Sequence, residues 1–170
     1  MFFLQDEWLV FGLAISQGPA LILRGLFSPT LAHFIPVTNA LNYFLFNIFG
    51  LNYFSYAVLG SFIHLINGVL IYLLAKLLVK GNLFPLVASV VFISLSAASQ
   101  LVMWAFVNLS MLSLTFTLLA WIQILKIKSQ KQISWLHSFG VLLFVVLAIL
   151  TLENAAGILI FLPPRLTGFP

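Results

Sequence analysis

The sequence predicts an all-α protein: a polytopic transmembrane helical bundle of about four spanning helices, with an N-terminal outer loop of short interfacial helices. Three observations carry this. First, 63% of the 170 residues are hydrophobic and 6% are charged, with a mean hydropathy of +1.20. A soluble domain carries about 25% charged residues, so this chain lacks the charge to cover a water-facing surface. Second, apolar runs recur near the length a bilayer demands, about 20 residues per spanning helix. Third, the lysines fall between the runs in two clusters, as topology signals do.

Each span follows from its run. Residues 53–78 form the first. Residues 83–98 form a second, short one after the break Lys80-Gly81-Asn82. Residues 101–125 form the third and 136–152 the fourth. Residues 155–162 are apolar but too short alone, and Pro163-Pro164 stops any helix there. Residues 1–52 are apolar but broken at Gly18-Pro19, Gly25, Ser28-Pro29 and Pro36. The pieces 6–17 and 37–49, the second interrupted by Asn39, Asn42 and Asn47, read as amphipathic helices at the interface or packed on the bundle. The whole reads as one membrane domain, residues 1–170, with 1–52 outside and 53–170 transmembrane. Both ends look cut from a larger protein.

Lysines set the orientation. Lys76 and Lys80 close the first span, and Lys126, Lys128 and Lys131 fill the loop between the third and fourth. Both loops belong on the cytoplasmic side. Residues 1–52, the turn at 97–104 and the segment after Leu152 then share the outer face. All three acidic residues, Asp6, Glu7 and Glu153, lie on that face together with His33. Arg24 and Arg165 are the basic residues that fall outside.

Composition also excludes functions. The net charge of +4 rests on seven Lys and Arg, too sparse for a nucleic-acid surface. There is no cysteine, hence no disulfide, thiolate metal site or cysteine nucleophile. The start, "MFFLQDEW", lacks the basic region of a secretory signal. No Gly-rich phosphate loop, zinc spacing or serine nucleophile elbow is present.

Ionisable groups near hydrocarbon are expensive and each needs a reason. Asp6 and Glu7 read either as helix-start charges favoured by the dipole, or as a general base or metal ligand on the outer face. Adjacent helical residues point about 100° apart, so only one of the pair faces a given site. Glu153 either emerges into water or faces the same cavity. His33, in a loop before Pro36, is either solvated or a phosphate- or acceptor-binding group. His64 and Asn67 share one face of the first span and read as interhelical packing glue. Asn108-Leu109-Ser110 fits the weak N-glycosylation pattern.

The order "QDEW", "AHFIPVTNALNYFLFNIFGLNYFSYAVLGSFIHLINGVLIYLLAKLL", "AASQLVMWAFVNLSMLSLTF" and "LTLENAAGILIFLPP" resembles the GT-C superfamily of integral membrane glycosyltransferases, most of all its bacterial and tetratricopeptide-linked O-mannosyltransferase-like branch. The resemblance runs from Phe3 to Pro164 and is most specific over residues 41–74. It implies a multi-pass protein of a bacterial inner or plasma membrane. It also implies transfer of a sugar from a polyprenyl-phosphate donor to an acceptor glycan or protein on the outer face, by inversion. Asp6 matches the general base, with Glu7 assisting or holding the loop. His33 and Glu153 match cavity-lining positions. Charge alone suggests Arg24 or Arg165 for the donor phosphate. No cofactor is implied, and the acidic pair leaves a divalent metal open.

The sequence departs from the family pattern at charged positions. The second acidic residue is Glu7, not Asp. Ile35, Gln100, Asn108 and Leu152 stand where the family often carries charge or, before the Trp, Pro-Glu. Scaffold residues match better than charged ones. Two further readings therefore stand beside the enzyme: a non-catalytic protein of the same fold, and a small transporter or channel subunit with Asp6 and Glu7 at its mouth. A transporter places ionisable groups along its pathway, whereas here the carboxylates gather on one side.

Overall fold

The computed structural model describes residues 5–30, 33–95, 104, 109, 111–129 and 135–161. Among these the chain is all-helical. The elements are α1 (Gln5–Gln17), α2 (Ala20–Gly25), α3 (Pro36–Phe49), α4 (Tyr53–Leu78), α5 (Leu83–Ser94), α6 (Met111–Ser129) and α7 (Trp135–Thr151), followed by a 3₁₀ segment, Glu153–Phe161.

Helix α4 occupies the predicted residues 53–78, and α7 lies within a residue of prediction at each end. The third predicted span is shifted. Trp104 is not helical, Leu109 lies in a turn, and α6 starts only at Met111. Hydropathy cannot see a helix start inside an apolar run. The residues that favour one there are the polar Asn108 and Ser110, which lie outside the described residues. Among the described residues, α4 is the one helix long and apolar enough to cross a membrane by itself.

Pairwise contacts fix the helix directions. Ser89 donates to the Gly68 carbonyl at 2.7 Å, and His64 Nε2 meets the Ile93 carbonyl at 3.2 Å. Numbers rise on α4 as they fall on α5, so the two are antiparallel. Asn67 donates to the Met111 carbonyl at 3.1 Å and accepts from the Thr115 hydroxyl at 2.7 Å. Further along, Leu70 packs with Leu118 and Ile122, so α4 and α6 run parallel. Ser113 donates to the Ala148 carbonyl at 3.0 Å and Ala120 packs on Val145, so α7 runs back along α6.

Helix α6 is central. It is apolar all round, as a buried helix is, and none of its large apolar side chains is exposed, whereas α4, α5 and α7 each expose several. Fully buried Ala120 and Ala148 let α6 and α7 approach closely. The glue predicted for His64 and Asn67 is present, with His64 tying α4 to α5 and Asn67 tying α4 to α6.

These directions sort the charges by end. Asn67 to Leu78 and Thr115 to Lys126 are equal lengths of parallel helix, so Lys76, Lys80 and Lys126 gather at one end of the bundle. Glu153 lies two residues past the last residue of α7, at the opposite end.

Asn67 is fully buried and serves two partners on α6. Replacing it with alanine removes both interhelical bonds and leaves the Thr115 hydroxyl and the Met111 carbonyl only each other, at 3.1 Å. The expected cost is about 1–2 kcal/mol, read as a lower unfolding midpoint in detergent. Combining Asn67→Ala with Thr115→Val should cost less than the two added, because they remove a shared bond.

Candidate functional site

The site lies where the N-terminal layer meets the end of α7. Helix α1 turns Val10, Phe11 and Ala14 inward at helical spacing. Phe11 packs on Phe46 of α3 and Tyr56 of α4, with ring centroids 5.2 and 5.7 Å away. The buried stripe of α3 begins polar, with Thr38, Asn39 and Asn42, and turns aromatic by Phe46.

Two buried bonds hold the polar half. The Thr38 hydroxyl donates to the Thr151 carbonyl at 2.7 Å, docking α3 onto the last turn of α7. Asn39 Nδ2 donates to the Thr30 hydroxyl at 3.0 Å, fixing the loop before α3. Thr30 and His33 exchange backbone hydrogen bonds of 2.8 and 2.9 Å, a tight turn that presents the His33 ring.

That ring reaches Glu153. His33 Nδ1 lies 2.5 Å from Glu153 Oε1, between residues 120 apart in sequence. Partial burial pushes the Glu153 carboxyl up. The His33 hydrogen bond, Glu153's own N–H, the His33 charge and the Phe34 N–H outweigh it and hold the group below its ordinary value. The second carboxylate oxygen, Oε2, is buried without a hydrogen-bond partner among the described residues.

The two halves of the acidic pair separate. Asp6 and Glu7 occupy the first described turn of α1. Glu7, on the face of Val10 and Phe11, is 1% exposed. Its charge is felt at Tyr53 and Tyr56 and not at Glu153. A catalytic carboxylate open to an outer cavity is therefore not what Glu7 forms. Helical periodicity put Glu7 on the packing face, and adjacency to Asp6 concealed it. The Asp6 side chain lies outside the described residues, as do Arg165 and the Asn108–Ser110 pattern.

Arg24 is exposed and borders a separate cleft of about 220 Å³ together with Gln17, Ser28 and Thr30. Thr30 links the two places, lining this cleft with its neighbours and bonding His33 through its backbone. Among the described residues no three His, Asp or Glu side chains come together as a metal site. The sequence reading missed Thr38, Asn39 and Thr151. Their signal was faint: two adjacent polar residues in the first turn of α3 and one hydroxyl at the last residue of α7.

No protein-family model, curated protein or solved structure matches the chain. The site is read from its geometry.

Two outcomes follow. Glu153 has a folded pKa below its unfolded value near 4.5, so its contribution is complete above that value and fades as pH falls through the lowered one. Between pH 6 and 3 the native protein should lose stability more steeply than Glu153→Gln, measured by denaturant titration in detergent. A Cβ on Gly25 would stand 2.7 Å from Asn39 Nδ2, which is pinned to Thr30. Gly25→Ala should therefore destabilise the protein by about 1–3 kcal/mol, visible in the same titration.

Proposed function

We propose that this chain is a multi-pass membrane protein and the membrane core of a GT-C-type glycosyltransferase. It transfers a sugar from a polyprenyl-phosphate donor to an acceptor hydroxyl on the extracytoplasmic face. The observation that carries the proposal is the meeting of His33 and Glu153 at the bundle end opposite the lysines. Residues from a loop and a distant helix end converge where the positive-inside rule puts the outer face.

Supporting the multi-pass reading, α5 exposes Leu83, Leu86, Val87 and Val90, and α7 exposes Leu136, Phe139, Leu142 and Val146. Such surfaces are stable against lipid and costly against water. Trp135 is exposed at the lysine end and Trp8 in the N-terminal layer, as interfacial belts require.

In the reaction, a base takes the acceptor hydroxyl proton while its oxygen attacks the anomeric carbon. The bond from that carbon to the phosphate oxygen breaks, and polyprenyl phosphate leaves with the electron pair. Inversion places base and leaving group on opposite faces of the sugar, around an oxocarbenium-like transition state. Asp6 is the proposed base. Glu153, with one oxygen held by His33, offers the other to a sugar or acceptor hydroxyl. His33 is the proposed orienting group.

A second reading rests on one observation. The His33–Glu153 contact sits beside the buried Thr38–Thr151 bond, so the pair also serves as a fastener between layers. A non-catalytic protein of the same fold needs only that.

Transfer assays with a polyprenyl-phosphate-sugar donor separate the two. Asp6→Ala should abolish transfer, and Glu153→Gln should reduce it at least about tenfold while the protein stays folded. Undiminished transfer in Asp6→Ala would remove Asp6 from the mechanism. No transfer by the native chain, to either a glycan or a protein acceptor, would leave the fastener as the function of the pair.

A further inference from the structure

Helix α2 is inside out for a helix facing water. Its inner face is Leu21 and Gly25, both buried. Gly25 is pressed onto Asn39 so closely that a Cβ would meet Nδ2 at 2.7 Å, which locks the helix rotation. The outward side therefore carries Leu23, Leu26 and Phe27, the last 85% exposed. Arg24 stands among them, bordering the cleft with Gln17, Ser28 and Thr30.

The depth of α2 follows from its attachments. From Trp135 at the lysine end, α7 rises about 25 Å to Thr151 at 1.5 Å per residue. The hydrocarbon layer is about 30 Å thick. Thr38 is bonded to Thr151 and Asn39 adjoins Gly25, so α2 sits level with the far edge of that layer. There the outward apolar side chains meet acyl chains while Arg24 lies among headgroup phosphates, the arrangement of an interfacial helix.

We propose that α2 and the turn after it, through Leu23, Leu26 and Phe27, insert into the bilayer leaflet at the His33–Glu153 end, with Arg24 engaging a phospholipid phosphate in the Gln17–Ser28–Thr30 cleft. Charge complementarity selects phospholipid over a second copy of the chain: the residues lining the Arg24 cleft include no carboxylate, and a second copy would bring a net charge of the same sign. The lipid contact then holds the loop that carries His33, so the membrane itself becomes part of the site's scaffold. This rests on the membrane reading above.

The chain has no cysteine, so single cysteines take a spin label without background. Phe27→Cys and, as a mid-span control, Phe62→Cys in the full chain are reconstituted in phosphatidylcholine vesicles, and collisions with oxygen and with a water-soluble nickel chelate are compared. Both side chains are exposed, so neither change disturbs packing. Both labels should favour oxygen, the label at 27 at a shallower depth, and adding Arg24→Glu should shift the label at 27 toward water. A lipid-like label at 62 with a water-exposed label at 27 overturns the insertion alone. Water exposure at both overturns the membrane reading beneath it. Spin–spin broadening at 27 that vanishes on dilution with unlabelled protein makes a second copy the occupant and overturns the lipid assignment, as does an unmoved label in Arg24→Glu.

Discussion

The bond from the Thr38 hydroxyl to the Thr151 carbonyl joins two parts that would otherwise share little. On one side is a layer of short helices, α1 to α3. On the other is a bundle whose helices are tied pairwise by one or two polar contacts. Thr38 and Thr151 are both fully buried, so the donor and acceptor have no water to fall back on, and an unmade bond there costs its full desolvation. The bond sets the height of α3 on α7. That height brings the loop before α3 to the residue that follows α7, and so brings His33 to Glu153. Asn39, next to Thr38, fixes the same loop through Thr30 and fixes α2 through Gly25. One helix start thus places both the His33–Glu153 pair and the Arg24 cleft.

The bundle beneath obeys a related economy. Between helices that are apolar all round, hydrophobic packing alone has little preference for register. Ser89, His64, Asn67, Thr115 and Ser113 supply it, each meeting a backbone carbonyl or a side chain on a neighbouring helix. Aliphatic contacts such as Leu70 with Leu118 then follow from a register already chosen. The same register determines that Lys76, Lys80 and Lys126 end up together.

Helix type, number of apolar runs and the limits of α4 and α7 were legible because hydropathy reports them directly. The start of α6 was not, since a helix can begin anywhere in an apolar stretch and only the polar residues near 108–110 mark it. The pairing of His33 with Glu153 was legible as a shared side, from lysine bias alone, but not as a contact. Contact depends on Thr38 and Thr151, and hydroxyls of that kind in an apolar helix more often bond their own backbone, as Thr151 also does to Leu147 at 2.6 Å. For Glu7 the sequence left open assisting Asp6 or holding the loop; its burial follows the three-to-four spacing with Val10, Phe11 and Ala14.

The acidic pair therefore divides its labour by geometry. Successive residues on a helix diverge by about 100°, and the inward direction of α1 is taken by Glu7, sealed among Phe11, Tyr53 and Tyr56. Its partner in sequence cannot share that direction. On the proposed reading, chemistry at this pair belongs to Asp6, while Glu7, 1% exposed, bears on how α1 packs beside the start of α4. On that reading a substitution at Glu7 tests the packing of α1 before it tests catalysis. Glu153 is divided in the same way: one oxygen is tied to His33, while the second is buried without a hydrogen-bond partner among the described residues, so the contact that fastens the loop before α3 to the end of α7 uses one side of the carboxylate alone.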